Sequence, residues 1–538
     1  MKIRNTLTIA ALALGLTASA QQTAQVAVFC INDFHSGLIH DPQRGTPGAA
    51  WVVQAIDSLK QVYPNHITVA AGDNFGGSFF YTATQEKSLI PQFFRDMGIT
   101  ISVPGNHAFD LGQEHFADRW ESTAFCPRDW HMRYVCDNLR KEPSTDSGHT
   151  PAIPDYCERW IVEKVDLKEG GSVSVAFTGL MTSNTPRQAS SSRIKGLSFD
   201  GNYGACLDSI KRLPGYEAVE KANIHLLLTH ISTYMKDGKP VFDDRDQANL
   251  YAFDRPDIDG IFTAHSHEVV CGTVQCARPY PVVQGGWHGQ YIAMMLCDVD
   301  LATGRCVKVT PRLVKVNPHA QLGPKAARLQ AQVEEQYNLT TFRGLPLSTV
   351  LTHCRKDIVH DRAAKWETKP MGTLVTTAYA HAVAALEPFA TERPVIIGVS
   401  HVGGVRAGLL AGDVTVLDVG EVLPFANNLR AYRYTGRQLK ALMEFGYNGC
   451  KHGRIQTSGV EVELDKKGHV KRLFYATPGQ PRIELKDTTP LVIVADDFMT
   501  TGGDGYSTDF FPESERIPGT YPTITDAFIN YLKEQSEI

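Results

Sequence analysis

The first half of the chain alternates between short apolar runs and polar or helix-prone segments. SVSVAFTGL (172–180) predicts a strand, whereas SLIPQFFRDMG (88–98) and GACLDSIKRLPG (204–215) predict helices. Five further apolar runs end in polar residues: VAVFCIND (26–33), HITVAAGD (66–73), ITISVPGNH (99–107), IHLLLTHIS (224–232) and DIDGIFTAHSHE (257–268). Runs that are apolar on both faces are typical of central strands in an α/β sheet that helices cover on both sides.

The pattern changes after about residue 316. GPKAARLQAQVEEQYNL (323–339) is charged and helix-prone, which predicts a linking helix. Beyond it, PVIIGVS (394–400) and PLVIVADDF (490–498) predict the strands of another domain. A chain of this length is expected to form more than one domain. We therefore predict a first domain over residues 24–315, a linker over 316–345 and a second domain over 346–538.

The five runs end in side chains that can carry chemistry. They are Asp33, His35, Asp73, Asn106, His107, Asp110, His230, His265 and His267. Each has an ordinary structural explanation, such as a helix N-cap for Asp or Asn or a solvated loop for His. Ligands of an open α/β sheet bind outside the carboxyl ends of its strands, so the joint occurrence favours one shared site.

The ligand chemistry indicates metal ions. Residues i and i+2 of an extended segment point the same way, so His265 and His267 are expected to face one point. Mixed imidazole and carboxylate ligands suit transition metals better than Ca or Mg alone. Asp73 has two carboxylate oxygens and is expected to bridge two metals. Two adjacent metals activate water and hold a phosphoryl oxygen, which predicts phosphoester hydrolysis.

Composition and charge narrow the class of protein. The 538 residues are 43% hydrophobic and 21% charged, as in soluble globular proteins. The net charge of −5 argues against a partner that is a polymeric nucleic acid. MKIRNTLTIAALALGLTASA (1–20) predicts a cleaved signal peptide, because its apolar run is too short for a membrane span. We expect an exported protein without a transmembrane anchor, located in the periplasm, at the cell surface or outside the cell.

Cysteine usage agrees with export. Eleven cysteines fit an oxidising compartment, and their odd number leaves at least one thiol without an internal partner. Cys30 lies in an apolar run and is expected to be a buried thiol. Disulfides are expected among three groups: Cys126, Cys136 and Cys157; Cys271 and Cys276; and Cys297 and Cys306. The sequence leaves their connectivity open.

The order of the motifs D-x-H, G-D, G-N-H, H and H-x-H resembles the calcineurin-like metallophosphoesterase family. INDFHSG (31–37), GNHAFDLG (105–112) and TAHSHE (263–268) are similar to its 5′-nucleotidase and UDP-sugar hydrolase branch. The resemblance implies a four-layer αββα domain joined by a linking helix to an α+β substrate-binding domain. It also implies two divalent metal ions (Zn, Mn, Co or Fe). One departure is Ala108, where this branch usually has Glu.

The resemblance assigns the residues of the first domain to roles. One metal would be bound by Asp33, His35, Asp73 and His267, and the other by Asp73, Asn106, His230 and His265. His107 and Asp110 would form a catalytic dyad, in which the imidazole stabilises developing charge and the carboxylate orients it.

The second domain resembles the substrate-binding domain of the same branch. VSHVGGVRAG (399–408) and DDFMTTGGDGYS (496–507) are similar to its substrate loops. The strands that follow the first of these loops in that domain are similar to VLDVGEVLPFANNLR (416–430) and IQTSGVEVELD (455–465). The resemblance implies an anion or ribose contact by Arg406 in the Gly403–Gly404 loop, base stacking by Phe498 and ribose binding by Asp504.

Three positions depart from the resembled pattern. His401 replaces the usual Asn of the loop, and Arg454 stands where a second aromatic often sandwiches the base. WETKPMGTL (366–374) lacks the Arg and Asn that related enzymes carry there. Arg can still stack on a base, so these departures weaken the prediction of nucleotide binding without removing it.

The sequence therefore predicts an exported two-metal phosphohydrolase that acts on a small phosphoester. A 5′-nucleotide, cleaved by a metal-activated hydroxide, is the leading substrate. A UDP-sugar hydrolase and a cyclic nucleotide phosphodiesterase are alternatives, because the second domain alone would distinguish these substrates. The departures also motivate a ligand-binding protein with faded activity, but the intact metal set argues against it.

Overall fold

We analysed a computed structural model of the chain. It describes residues 23–41, 45–84, 89–119, 130–142, 152–242, 257–274, 280–360, 366–450, 453–477, 479 and 481–538. The predicted signal peptide lies outside these residues, as do Cys126 and Cys276.

The first domain contains two seven-stranded sheets, and the first of them carries three of the predicted strands. Its strands, in spatial order, are Arg305–Lys315, Tyr291–Asp300, Thr23–Ile31, His66–Ala70, Ile99–Ser102, Arg133–Val135 and Cys157–Glu158. Thr23–Ile31, His66–Ala70 and Ile99–Ser102 are parallel neighbours. Their carboxyl ends therefore lie side by side at one edge of the sheet.

The second sheet carries the other predicted strands of this domain. Its strands, in order, are Val269–Val274, Tyr280–Gly285, Gly260–Ala264, Ile224–Lys236, Ser172–Met181 and Trp160–Asp166, with Lys239–Phe242 paired to Ile224–Lys236. Ser172–Met181, Ile224–Lys236 and Gly260–Ala264 run parallel. A smaller pair is formed by Leu139–Lys141 and Leu197–Phe199.

The two sheets pack face to face. Leu226 and Leu228 belong to the core that the sheets share, whereas Leu227 packs with the helix Tyr203–Ile210 on the outer face. Gly260 allows this close approach, because a Cβ there would lie 2.6 Å from the Met295 sulfur. Helices on both outer faces complete the four layers that the family resemblance implies. The expectation from the apolar pattern, a sheet with helices on both faces, is wrong, because one face of each sheet meets the other sheet.

Helices and one linking element complete the first domain. The helices are Ala49–Val62, Phe79–Thr84, Ile90–Met97, Gln113–Arg119, Thr185–Gln188, Tyr203–Ile210 and Glu217–Glu220, with a 3-10 turn at Asn106–Phe109. The predicted linking helix spans Pro324–Leu339. It packs on the helix Ala49–Val62, and Lys325 Nζ donates to Asp57 Oδ2 at 2.8 Å. The limits of the two domains stay a prediction.

The second domain is an α+β unit around a five-stranded sheet. The strands are Gln456–Thr457, Ile396–Ser400, Pro490–Asp496, Leu429–Thr435 and Arg516–Ile517 in spatial order. Its smaller sheets consist of Val460–Leu464, Val470–Tyr475 and Ile483–Glu484; Val350–Cys354 and Gly412–Thr415; and Thr341–Phe342 and Leu345–Pro346. Its helices are Pro370–Ala384, Phe389–Glu392, Val416–Val422, Gly436–Glu444, Asp497–Thr500 and Ile524–Lys533. Short 3-10 turns at Val402–Gly404 and Gly503–Gly505 carry predicted substrate residues.

One expected strand is a helix. Residues 416–422 form the helix Val416–Val422, and the strand begins only at Leu429. The Thr415 hydroxyl accepts from the Asp418 backbone N–H, and the Asp418 carboxylate accepts from the Thr415 backbone N–H. This capping box starts a helix in a segment whose apolar residues also suit a strand.

The two domains contact each other through aromatic packing. Gly420, in the helix Val416–Val422, lies against the ring of Phe79 in the helix Phe79–Thr84. Phe342 packs edge-on against the same ring, with centroids 4.9 Å apart. The Thr82 hydroxyl donates to the Pro424 carbonyl oxygen at 2.9 Å. These contacts place the loop after residue 422 next to the first domain.

The described cysteines bear on the expected disulfides. No disulfide joins two of the nine cysteines within the described residues, so the structure does not confirm the expected disulfides among them. Cys30 is buried, as predicted.

In the described ranges, no helix combines the length and apolarity that crossing a membrane requires.

Gly420→Ala is expected to destabilise the protein by about 1–3 kcal/mol, because the new Cβ would overlap the Phe79 ring. Helix propensity alone predicts the opposite sign, a gain of about 1 kcal/mol. Chemical denaturation measures the change. Gly323→Ala is the matched control, since its Cβ would lie 3.7 Å from Gln54 Oε1, an ordinary contact. A Gly420→Ala variant as stable as wild type would contradict this account of the domain interface.

Candidate metal centre

Four of the predicted ligands follow strands of the first sheet. Asp33 and His35 come after Thr23–Ile31, and Asp73 comes after His66–Ala70. Asn106 begins the 3-10 turn that follows Ile99–Ser102. Since these strands are parallel neighbours, their ends bring the four side chains to one edge, as the sequence predicts.

The second sheet supplies the three other histidines at the same edge. His265 and His267 follow the strand Gly260–Ala264, as predicted. His230 differs from the prediction, because it lies inside Ile224–Lys236 and not at its end. The parallel pairing with Ser172–Met181 stops at His230, and the strand then continues into a hairpin. The site is therefore built where the carboxyl ends of two stacked sheets meet.

The backbone at the ligands is left-handed and not extended. The φ angles are 47° at Asp33, 45° at His35, 48° at Asp73, 75° at His265 and 61° at His267. The expectation that the two histidines of H-x-H face one point in extended backbone is therefore wrong. Non-glycine residues in this region cost about 1–3 kcal/mol each and concentrate at functional sites. The left-handed turns send His265 and His267 to different partners.

The side chains gather into two main groups that share one edge. Asp33, His35 and His267 form one group, and Asp73, His230 and His265 form the other, each with ligand atoms within 4.8 Å of one another. His35 Nε2 lies 3.0 Å from His267 Nε2 and 3.7 Å from Asp73 Oδ2. His230 Nε2 lies 3.0 Å from Asp73 Oδ2. Asp73 thus stands between the groups, where the sequence predicts a bridging carboxylate.

The unsatisfied polar atoms of the site fit metal ions. The Nδ1–H groups of His35 and His230 donate to the carbonyl oxygens of Gly76 and Ala71, at 3.0 and 2.8 Å. These bonds direct Nε2 of each ring into the site. Within the described residues, the buried Asn106 Oδ1 has no hydrogen-bond partner, and His230 Nε2 has only the Asp73 carboxylate oxygen at 3.0 Å, without hydrogen-bond geometry. Buried polar atoms without partners are costly, and a bound cation would satisfy both.

The carboxylates and imidazoles shift one another's protonation. Burial raises the pKa of Asp33 to about 7, with Asp73 adding to the rise and His230 opposing it. Burial also opposes charge on Asp73 and His230. The imidazoles of His230 and His107 nevertheless hold the pKa of Asp73 well below its usual range. The carboxylates of Asp73 and Asp33 raise the pKa of His230 to about 9. Burial lowers the pKa of His35, which favours its neutral, metal-binding form.

Two glycines make room for the ligands. A Cβ at Gly105 would overlap Asp73 Oδ1, and a Cβ at Gly72 would lie against the His230 ring. Gly72 has φ 87°, a conformation that glycine adopts without strain. The G-D and G-N-H motifs therefore combine a ligand with the space that it needs.

The two side chains proposed as a dyad, His107 and Asp110, are hydrogen-bonded to each other. His107 Nδ1–H donates to Asp110 Oδ2 at 2.9 Å, and Asp110 Oδ2 also accepts from the Gly77 backbone N–H at 2.7 Å. The His107 backbone N–H donates to Asp73 Oδ1 at 2.9 Å. His107 also approaches Asp73 and His35 closely enough to form a third group of possible ligands. The same residue thus borders the metal groups and carries an oriented imidazole.

A cavity of about 730 Å³ joins the metal groups to the second domain. Its walls include the predicted substrate residues His401, Gly403, Arg406, Phe498 and Asp504, together with Asn106, His107, Asp110, His265 and His267. Gly404 does not line the cavity but lies against the ring of His401. Burial lowers the pKa of Arg406, while Asp110, Asp73 and Asp504 favour its charge. A cation of the second domain therefore lies near the carboxylates of the first.

One predicted substrate residue lies elsewhere. Arg454 does not line this cavity; its guanidinium lies 4.4 Å from the centre of the Tyr447 ring. Its position in the sequence next to a glycine turn gave no information on where the side chain points. The structure therefore does not place Arg454 beside Phe498.

The sequence did not point to several residues at the site, among them Phe425, Gln188 and Asn32. Phe425 lines the cavity and stacks on His107, with centroids 5.8 Å apart and planes 6° apart. Gln188 Nε2 lies 3.0 Å from His265 Nε2. Asn32 donates to Asp33 Oδ2 at 2.8 Å and orients it. Asn32 stands next to a predicted ligand, and Phe425 is an aromatic after a proline, but neither signal is specific.

Comparison with known families agrees with this geometry. Residues 26–269 match the calcineurin-like phosphoesterase family, and residues 350–510 match the C-terminal domain of 5′-nucleotidases. The first match covers the metal groups and most of the four-layer domain, which continues beyond residue 269 with the strands Tyr280–Gly285, Tyr291–Asp300 and Arg305–Lys315. The second match covers Arg406, Phe425, Phe498 and Asp504.

Individual relatives are distant. The chain is 24% identical to cell wall protein Lmo0130 of Listeria monocytogenes, over 99% of this chain and 71% of that protein. It is 23% identical to the trifunctional nucleotide phosphoesterase YfkN of Bacillus subtilis over 90% of this chain, but spans only 32% of that protein. The crystal structure of a 5′-nucleotidase precursor from Thermus thermophilus superposes with a TM-score of 0.72 at 21% identity. The superposition covers 96% of this chain and 97% of that one. At this identity the likeness shows the fold alone.

Asp73→Ala is expected to lose more bound metal than His267→Ala, because Asp73 lies between both groups and His267 belongs to one. Elemental analysis after loading with Mn or Zn measures metal equivalents per chain without depending on activity. His319→Ala, at an exposed histidine, is the control and should bind as much metal as wild type. Equal metal content in the Asp73, His267 and His319 variants would contradict the assignment.

Proposed function

Because this chain belongs to the metallophosphoesterase and 5′-nucleotidase family of phosphoester hydrolases, we propose that it is an exported two-metal enzyme that releases phosphate from 5′-nucleotides. One observation carries this proposal. The metal groups, the His107–Asp110 pair and the anion-binding and aromatic residues of the second domain all face the same cavity. A phosphoester held by the second domain would therefore have its phosphorus at the metal groups.

The ligand sets proposed from the sequence are supported by the grouping of the side chains. One metal would be held by Asp33, His35, Asp73 and His267, and the other by Asp73, Asn106, His230 and His265. Two bound divalent metals supply Lewis acidity at a phosphoryl oxygen and a more acidic water. Imidazole nitrogen and carboxylate oxygen suit Zn, Mn, Co or Fe.

The chain's own residues hold and stabilise the phosphoryl group. His107, oriented by Asp110, presents its imidazole beside the metal groups, where it stabilises charge on a phosphoryl or leaving oxygen. Arg406 adds a guanidinium to the same cavity, which suits a phosphate oxygen. Arg406 also lies 5.8 Å from the centre of the Phe425 ring, which in turn stacks on His107. The cation and the dyad are thus linked through one aromatic side chain.

The aromatic residues support a nucleotide as the substrate. Phe425 and Phe498 both line the cavity and are only partly buried, so they offer apolar surface to a base. The relative YfkN is named a nucleotide phosphoesterase, which agrees with this substrate class. Export is proposed from the pattern of residues 1–20 and agrees with the cell wall location in the name of Lmo0130.

Metal-stripped protein is expected to release phosphate from 5′-AMP only after Mn, Co or Zn is added. The AMP assay measures inorganic phosphate. In parallel, bis(p-nitrophenyl) phosphate is followed by the release of p-nitrophenol and a UDP-sugar by the release of UMP, because these cleavages free no inorganic phosphate. Phosphate release from AMP that survives exhaustive chelation would contradict the two-metal proposal. Turnover of the diester or the UDP-sugar without turnover of AMP would contradict the proposed 5′-nucleotide substrate, and the proposed metal centre would stand. Recovery of active enzyme only from inside the cell, with residues 1–20 retained, would contradict export.

His107→Ala is expected to lower kcat by about 10²–10⁴-fold, the usual contribution of a positioned acid–base or charge-stabilising group. Asp110→Asn should lower kcat less, because the imidazole remains but loses its carboxylate partner. Metal content is measured for both variants, since His107 also lies within reach of the metal groups. Loss of metal from His107→Ala would identify His107 as a metal ligand. A His107→Ala variant with full metal content and unchanged kcat would show that His107 has no role in the reaction.

A further inference from the structure

His401 and Asp504 form a closed pair on the wall of the substrate cavity. The Nδ1–H of His401 donates to Asp504 Oδ2 in a short hydrogen bond. The side chain of His401 is 6% exposed and that of Asp504 is 13% exposed, so both are largely shielded from water. A charge-assisted hydrogen bond in a shielded place is stronger than a neutral one.

The bonded oxygen of Asp504 is also enclosed from another side. A Cβ at Gly403 would lie 2.7 Å from Asp504 Oδ2 and 3.2 Å from His401 Nδ1. The loop backbone therefore approaches the hydrogen bond as closely as a glycine allows. A carboxylate oxygen can accept more than one hydrogen bond, but here the His401 N–H already occupies Oδ2 and the Gly403 backbone lies close beside it, so Oδ2 is hindered as an acceptor for a hydroxyl group of a substrate.

The imidazole is fixed between two carboxylates and an aromatic ring. Its Nε2 lies 4.0 Å from Asp496 Oδ2, and its ring lies 5.1 Å from the Phe498 ring at an angle of 31°. Burial opposes charge on His401, but Asp504 and Asp496 outweigh burial and raise its pKa. The nearby cation Arg406 acts in the opposite direction. The His401 imidazole is thus held in place beside the Asp504 carboxylate as its counter-ion. Its displacement by a ligand would cost free energy.

The two hydroxyls of a ribose cis-diol bind best to a carboxylate when each donates to a different oxygen. We infer that His401 is a specificity-determining residue: by occupying Oδ2 of Asp504 it prevents a two-oxygen contact with a sugar diol. The enzyme would then accept 5′-phosphates of sugars that have or lack the 2′ and 3′ hydroxyls. This inference rests on the proposed 5′-nucleotidase function and narrows its substrate class.

The experiment compares kcat/KM for 5′-AMP and for 2′,3′-dideoxy-5′-AMP, using metal-loaded full-length protein. We expect the wild-type ratio to stay within about threefold of one. His401→Asn, which keeps a polar side chain but lacks the charged ring, should raise the ratio to about tenfold, the effect of one recovered hydrogen bond. This rise in the ratio should come from a higher kcat/KM for 5′-AMP and not from a lower kcat/KM for 2′,3′-dideoxy-5′-AMP. His401→Asn combined with Asp504→Asn should return the ratio toward one.

His360→Asn is the matched control, because it makes the same substitution at another histidine that lines this cavity. Its ratio should equal that of wild type. A wild-type preference for AMP of tenfold or more overturns the inference even if the His401 variant fails to fold. A lower ratio in His401→Asn than in wild type also overturns it, because His401 would then position Asp504 for the diol. Absence of turnover with both nucleotides, while p-nitrophenyl phosphate is hydrolysed, overturns the proposed function and the inference together.

Discussion

The buried negative charge of Asp33 and Asp73 is the constraint on which the rest of the structure depends. Their side chains are almost fully shielded, at 0% and 2% exposure, and an unpaired buried carboxylate costs several kcal/mol. Imidazoles from both sheets surround these carboxylates. Asp33 also accepts from the Asn32 amide and the His265 backbone N–H, and Asp73 accepts from the His107 backbone N–H. His230 and His267 can approach Asp73 and Asp33 only because the two sheets are stacked with their carboxyl ends together. The four-layer architecture and the metal centre are therefore consequences of one arrangement.

The same constraint explains the unusual backbone around the site. Five of the seven proposed metal ligands have left-handed φ angles, and the glycines beside them leave space where a Cβ would collide. Such strain persists only when the surrounding packing determines the conformation. The stacked sheets supply that packing. Cations at the site would recover the cost of both the strain and the buried charge.

In the proposed function the second domain recognises the substrate, and aromatic contacts join this domain to the candidate metal centre. Phe79 and Gly420 pack the domains together, and Phe425 carries the contact to His107 itself. The residues that we infer to determine specificity, His401 and Asp504, lie on the wall of the cavity that the second domain supplies. Separation of the two functions allows residues of the pocket to change while the metal ligands do not. The departures at residues 366–374, at His401 and at Arg454 lie in the second domain, whereas Ala108, in the first domain, is a departure next to His107 that leaves the metal ligands unchanged.

The sequence by itself determined the α/β class, most of the predicted strands and the side chains that gather at the candidate metal centre. This was possible because the ligands come in local motifs at the ends of strongly apolar runs, where strand direction alone brings them together. Tertiary structure decided what local patterns cannot encode. An apolar run does not reveal whether a helix or a second sheet covers it, so the face-to-face sheets were not predicted from the pattern. The left-handed turns at His265 and His267, the position of His230 inside a long strand and the placement of Arg454 over Tyr447 depend on contacts between residues far apart in the chain. Phe425 became part of the site only when the two domains docked, because its partner His107 is more than half the chain away.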